Sequence, residues 1–143
     1  LERKLEIAPF RLEEIDAVAA QVLATCKPAR IFLIYGEMGA GKTSFVQACC
    51  RVLGTVESAR SPSFSLVNEY HTAEEPVYHF DLYRLSGEAE AESLGLEEFW
   101  DSGSFCFVEW PEVAPALLPE QAVRIYLNVV DSLTRSLHLI YPA

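Results

Sequence analysis

The chain has 143 residues, half of them hydrophobic, which suits one compact domain over residues 1–143 with a real core. Its 21 acidic residues outnumber 11 Lys and Arg, for a net charge of −10, which argues against this chain gripping a nucleic-acid backbone by itself. No apolar run approaches the roughly 18 residues of a membrane span, and Leu1-Glu2-Arg3-Lys4-Leu5 lacks an apolar leader core, so a cytoplasmic protein without membrane attachment is expected.

In chain order, Lys4–Ile7 suits a short strand. Leu12, Ile15, Val18, Val22, Leu23 and Cys26 then fall at helical spacing, and the helix stops before Pro28. Ile31–Tyr35 is a continuous apolar run, the pattern of a buried parallel strand. Phe45, Cys49, Val52 and Leu53 mark a second helix, with Gly54 where a C-terminal capping glycine belongs. Ser58–Ser65 is polar, holds Pro62 and reads as a loop. Leu66–Tyr70 and Val77–Asp81 read as strands joined by a polar turn. Glu88–Leu94 is a short acidic helix ending at Gly95, and Phe105–Glu109 is a third apolar strand. Prolines break Pro111–Pro119. Val123–Val130 and Ser136–Tyr141 form a closing antiparallel pair around Asp131–Arg135. The expected fold is α/β: a three-layer sandwich like that of the P-loop nucleoside triphosphatases. Its central sheet is mixed, parallel near the second helix and antiparallel at one edge. The four cysteines form no C-x-x-C pair and read as reduced, buried thiols.

Between the first apolar strand and the second helix lies Gly36-Glu37-Met38-Gly39-Ala40-Gly41-Lys42-Thr43, a complete G-x-x-x-x-G-K-[ST] loop. Its glycines let consecutive N–H groups turn inward onto a polyphosphate. Lys42 reaches the β- and γ-phosphates, and the Thr43 hydroxyl is suited to Mg²⁺. Ser44 follows on the first turn of the helix. A triphosphatase also needs an acid near the metal. Two strands supply candidates at their ends, Asp81 after Val77–Phe80 and Glu109 after Phe105–Val108. Either acid taken alone also suits a turn or cap. Ser61-Pro62-Ser63-Phe64 occupies the place of a switch segment, with Ser63 as its candidate hydroxyl. Trp110 either covers the site or packs beneath it. The histidines show no metal-ligand spacing and read as structural.

The segments GEMGAGKTSF, SPSFSLVNEY, HFDLYRL and FVEWPE, in this order, resemble the TsaE (YjeE) family. The resemblance implies a small ATPase that uses ATP and Mg²⁺ in the threonylcarbamoyl modification of adenosine 37 in tRNAs reading ANN codons. It implies work with the TsaB–TsaD complex, and contact with tRNA only through these partners. It implies that Gly36 to Thr43 hold the phosphates, that Thr43 and Glu109 serve the Mg²⁺, and that Asp81 is an essential acid. Trp110 would lie beside the nucleotide, and Phe10, Arg11 and Arg135 would lie near the base. The family usually has Asp at the position of Glu37 and Thr at that of Ser63.

Two other functions fit the same loop. A nucleotide-gated binding module would use ATP occupancy and need little hydrolysis. A small-molecule kinase would need an arginine-rich lid, and the arginines here are scattered. The absence of N-K-x-D speaks against a GTPase.

Overall fold

The computed structural model describes residues 1–56 and 66–143; the Ser58–Ser65 loop, with Ser61–Phe64, lies outside the described residues. The strands are β1 (Glu2–Arg11), β2 (Ile31–Tyr35), β3 (Val67–His71), β4 (Pro76–Asp81), β5 (Phe105–Glu109), β6 (Val123–Asp131) and β7 (Thr134–Pro142). The helices are α1 (Ile15–Thr25), α2 (Lys42–Leu53), α3 (Glu88–Ser93) and α4 (Leu96–Asp101), with 3₁₀ turns at Leu12–Glu14, Pro111–Val113 and Pro115–Leu117. The strands form one sheet in the order β1-β7-β6-β2-β5-β4-β3.

Pairing is parallel through β6-β2-β5-β4 and antiparallel for β6-β7, β7-β1 and β4-β3. Antiparallel strands thus close both edges of the sheet, where the sequence pointed to one. Strand alternation sends Phe32, Ile34, Phe107 and Ile125 to the face covered by α1 and α2. It sends Leu33, Phe80, Cys106 and Val108 to the face covered by α3, α4 and the proline-rich turns. These are the three layers expected. Among the described residues no helix is long and apolar enough to cross a membrane.

Three differences from the sequence reading have local causes. β1 runs to Arg11 because β7 pairs with it throughout, and a bulge between Ile7 and Phe10 takes up Pro9, which has no N–H for the ladder. α4 is an added helix: Gly95, at φ 67°, breaks the chain after α3, and Leu96 and Trp100 then bury one face. Val52 and Leu12 are exposed, and α2 buries Phe45, Val46, Ala48, Cys49 and Cys50 instead. All four cysteines are free and buried, as expected. Burial pushes the thiol of Cys26 up to about 11 and those of Cys50 and Cys106 up to about 12.

Candidate phosphate and metal site

The carboxyl ends of β2, β4, β5 and β6 face the same way, the side on which open α/β sheets bind ligands. The glycine-rich loop leaves β2 there and enters α2 at Lys42. Gly36 passes close under β6. A Cβ at this position would stand 3.0 Å from the Leu127 carbonyl oxygen and 3.1 Å from the Ala40 Cβ. Gly41 takes φ 98° directly before α2, a conformation that side chains disfavour. The loop therefore needs glycine for close approach at one end and for a left-handed turn at the other.

Lys42 lies along this loop and is 5% exposed. Its ammonium donates to the Gly36 carbonyl and reaches the Glu37 carbonyl at 3.4 Å. It also sits 3.6 Å from the centre of the Trp110 ring, a cation–π contact. Burial pulls the lysine below its ordinary value, and Glu109, Glu112, Asp81 and Glu37 act the other way. Trp110 reaches this place through a left-handed backbone, φ 57° and ψ 47°, directly before Pro111. It is the one described residue other than glycine with a positive φ, and such a conformation costs about 1–2 kcal/mol. Tyr83 also packs against Trp110, its ring tilted and its centre 4.8 Å away.

The acids take different places. The Thr43 hydroxyl donates to the Glu109 carboxylate, 2.9 and 3.0 Å from its two oxygens. Glu109 is 3% exposed and also meets Nε2 of the buried His79 at 2.5 Å. Asp81 is the register partner of Glu109 one strand farther out, and its carboxylate accepts the Tyr83 N–H at 3.0 Å. A hydroxyl and a carboxylate side by side at the mouth of the glycine-rich loop are hard oxygen donors of the kind Mg²⁺ takes. With a loop whose Gly36 is crowded where a Cβ would stand, the residues present fit a Mg²⁺-bound polyphosphate.

Beside the loop lies a cavity of about 310 Å³ lined by Phe10, Leu12, Ile15, Leu127, Leu133 and Arg135, with Gly39–Gly41 and Ser44 at its wall. Phe10 and Arg135 thus come to the loop, whereas Arg11 is exposed and does not line this cavity. Glu37 and Met38 point outward on the loop. Arg135 grips the backbone: its guanidinium donates to the carbonyls of Ala40 (3.1 Å), Gly39 (3.2 Å), Asp131 (2.8 Å) and Thr134 (3.1 Å). Holding the Ala40 carbonyl outward turns the Gly41 N–H of the same planar peptide the opposite way. Arg135→Ala is expected to speed amide exchange of Ala40, whose N–H is bonded to the Glu37 carbonyl within the loop, about tenfold or more, since charge-assisted bonds are worth about 1.5–3 kcal/mol each. Hydrogen-exchange mass spectrometry of the loop peptide measures it, and unchanged exchange would show that the loop holds itself.

Two residues of the site carried no readable signal. His79 gave none because its partner lies on the neighbouring strand, 30 residues away in sequence. Leu133 gave none because a lone apolar residue in a hairpin turn marks no ligand.

The model of the family "Threonylcarbamoyl adenosine biosynthesis protein TsaE" matches residues 11–137. The "tRNA threonylcarbamoyladenosine biosynthesis protein TsaE" of Bacillus subtilis is 36% identical over 116 residues, 81% of this chain and 72% of that protein. The proteins of that name from Rickettsia bellii and a Synechocystis strain are 38% and 39% identical, over 83% and 81% of this chain and 83% and 76% of their own lengths. The crystal structure of YdiB from B. subtilis superposes with a TM-score of 0.74 and 26% identity, covering all of this chain and 87% of that one.

Proposed function

The chain belongs to the TsaE family, and on that premise we propose that it binds ATP with Mg²⁺ and hydrolyses it in the threonylcarbamoyl modification of adenosine 37 in tRNA. The observation that carries this is the Thr43–Glu109 contact, which sets two hard oxygen donors beside Lys42 at the loop. The loop N–H groups and Lys42 bind the β- and γ-phosphates. Thr43 and Glu109 hold Mg²⁺, which when bound neutralises charge on the phosphate oxygens. Trp110 shields Lys42 from water, and Asp81, one strand away, orients the attacking water. The cavity between Phe10, Ile15 and Leu133 is of a size and apolarity that suits a purine.

Several arginines are committed elsewhere. Arg30 pairs with Glu75, Arg51 with Asp16 and Arg124 with Glu2, while Arg135 holds the loop. Phosphoryl transfer gains large factors when a partner brings a missing cation. Turnover of the chain alone is therefore slow and rises when the TsaB and TsaD proteins join it. Steady-state phosphate release, with and without the two proteins at saturating ATP and Mg²⁺, tests this. Equal rates would leave a self-sufficient hydrolase. ATP-dependent association without added turnover would favour a nucleotide-gated binding module.

A further inference from the structure

His79 is fully buried in the layer between the sheet and α2, where Val77 and Phe107 on the same face are apolar. A phenylalanine would fill this place without the penalty of burying an imidazole. The ring has one hydrogen-bond partner among the described residues. Nε2 lies 2.5 Å from Oε2 of Glu109, while Nδ1 is buried with no partner among those residues. A carboxylate only accepts, so Nε2 carries the proton and donates it. The register explains the reach. His79 stands opposite Phe107 and Asp81 opposite Glu109, so His79 and Glu109 are diagonal neighbours on one face. Oε2 is thereby held by two donors, His79 and the Thr43 hydroxyl, and the carboxylate is fixed against rotation.

We infer that His79 is a positioning residue: its Nε2–H holds the Glu109 carboxylate toward Thr43, so that the two oxygens are set for the metal before it arrives. This rests on the reading of Thr43 and Glu109 as the Mg²⁺ ligands. Donors behind metal-binding groups generally act in this way, and their loss lowers metal affinity about 10–100-fold. A histidine present only to fill the core would affect stability and not the metal.

The two amides separate these roles, because the Gln amide nitrogen falls near the place of Nε2, whereas the Asn nitrogen falls near Nδ1 and stops short. Binding of a non-hydrolysable ATP analogue is measured by calorimetry with Mg²⁺ and with EDTA, for the wild type and for His79→Gln, His79→Asn and His79→Leu. The ratio of the two affinities reports the coupling of metal to nucleotide. His79→Asn and His79→Leu are expected to lower that ratio about tenfold, with affinity in EDTA within about twofold of wild type, and His79→Gln to restore it to within about threefold. Thermal unfolding by circular dichroism accompanies each. If His79→Leu does not fold, the Gln and Asn pair decides alone. A wild-type ratio in the Asn variant, or a Gln variant that behaves like Asn, overturns the inference. A wild type whose affinity is the same with Mg²⁺ and EDTA overturns the metal reading beneath it, a distinct failure.

Discussion

Glu109→Gln is expected to lower Mg²⁺-dependent ATP turnover about 100-fold or more, because a bound cation contributes several kcal/mol of charge stabilisation and each 1.36 kcal/mol is about tenfold in rate. Affinity for ATP in EDTA should stay within about twofold, since the proposed site holds the phosphates by the loop and Lys42. Glutamine keeps the shape of Glu109 but loses the charge. It also turns an N–H₂ group toward either the Thr43 hydroxyl or the His79 N–H, both donors to the present carboxylate. The Thr43 hydroxyl can rotate to accept from that group while the amide oxygen still accepts from His79, so the cost is the weakening of two charge-assisted bonds, about 1–2 kcal/mol in stability. Phosphate release and a thermal melt on the same preparation separate the two effects. A destabilised variant with wild-type turnover would make Glu109 a structural acid. Asp81→Asn is the companion: the amide oxygen can still accept the Tyr83 N–H, so the turn holds, and turnover should fall while the melt stays near wild type. Unaltered turnover would confine Asp81 to that turn.

Lys42→Ala should remove nearly all the stabilisation that ATP confers. A ligand at about 100 times its Kd adds roughly 2.7 kcal/mol, which in a domain of this size raises the melting temperature by about 5–10 °C. The variant without ATP should still unfold cooperatively. The ammonium is buried against two carbonyls and one aromatic face, and its removal relieves desolvation as well as losing those contacts. Differential scanning fluorimetry across an ATP series reads both values. A shift of wild-type size in Lys42→Ala would place the phosphates elsewhere.

Much of this could be read along the chain. β2 and β5 lie where their apolar runs put them, Ile31–Tyr35 and Phe105–Glu109, because a central parallel strand is buried on both faces. Gly54 closes α2 in the left-handed conformation, as its place after the last apolar residue indicated. What could not be read is what another element decides. The full length of β1 comes from its pairing with β7. The clustering of Arg135 with Gly39 and Ala40 joins residues 95 and 96 positions apart. The histidines, read one by one, looked structural, and nothing near His79 in the chain names Glu109 as its partner.

The loop, its lysine and threonine, and two acids at strand ends are local patterns, and local sterics and hydrogen bonding determine them without the rest of the molecule. Which acid meets Thr43 is a different matter. Asp81 and Glu109 end similar strands, and only the family resemblance, not the residues around them, set Glu109 at the metal. The sheet order places β5 directly beside β2, with Ile34 opposite Glu109, and puts β4 one strand farther out. Glu109 therefore lies under the first turn of α2, 66 residues from Thr43 in sequence and 2.9 Å from its hydroxyl. Adjacency in a parallel sheet is set by crossover connections and by the packing of both faces, and no single strand carries that information.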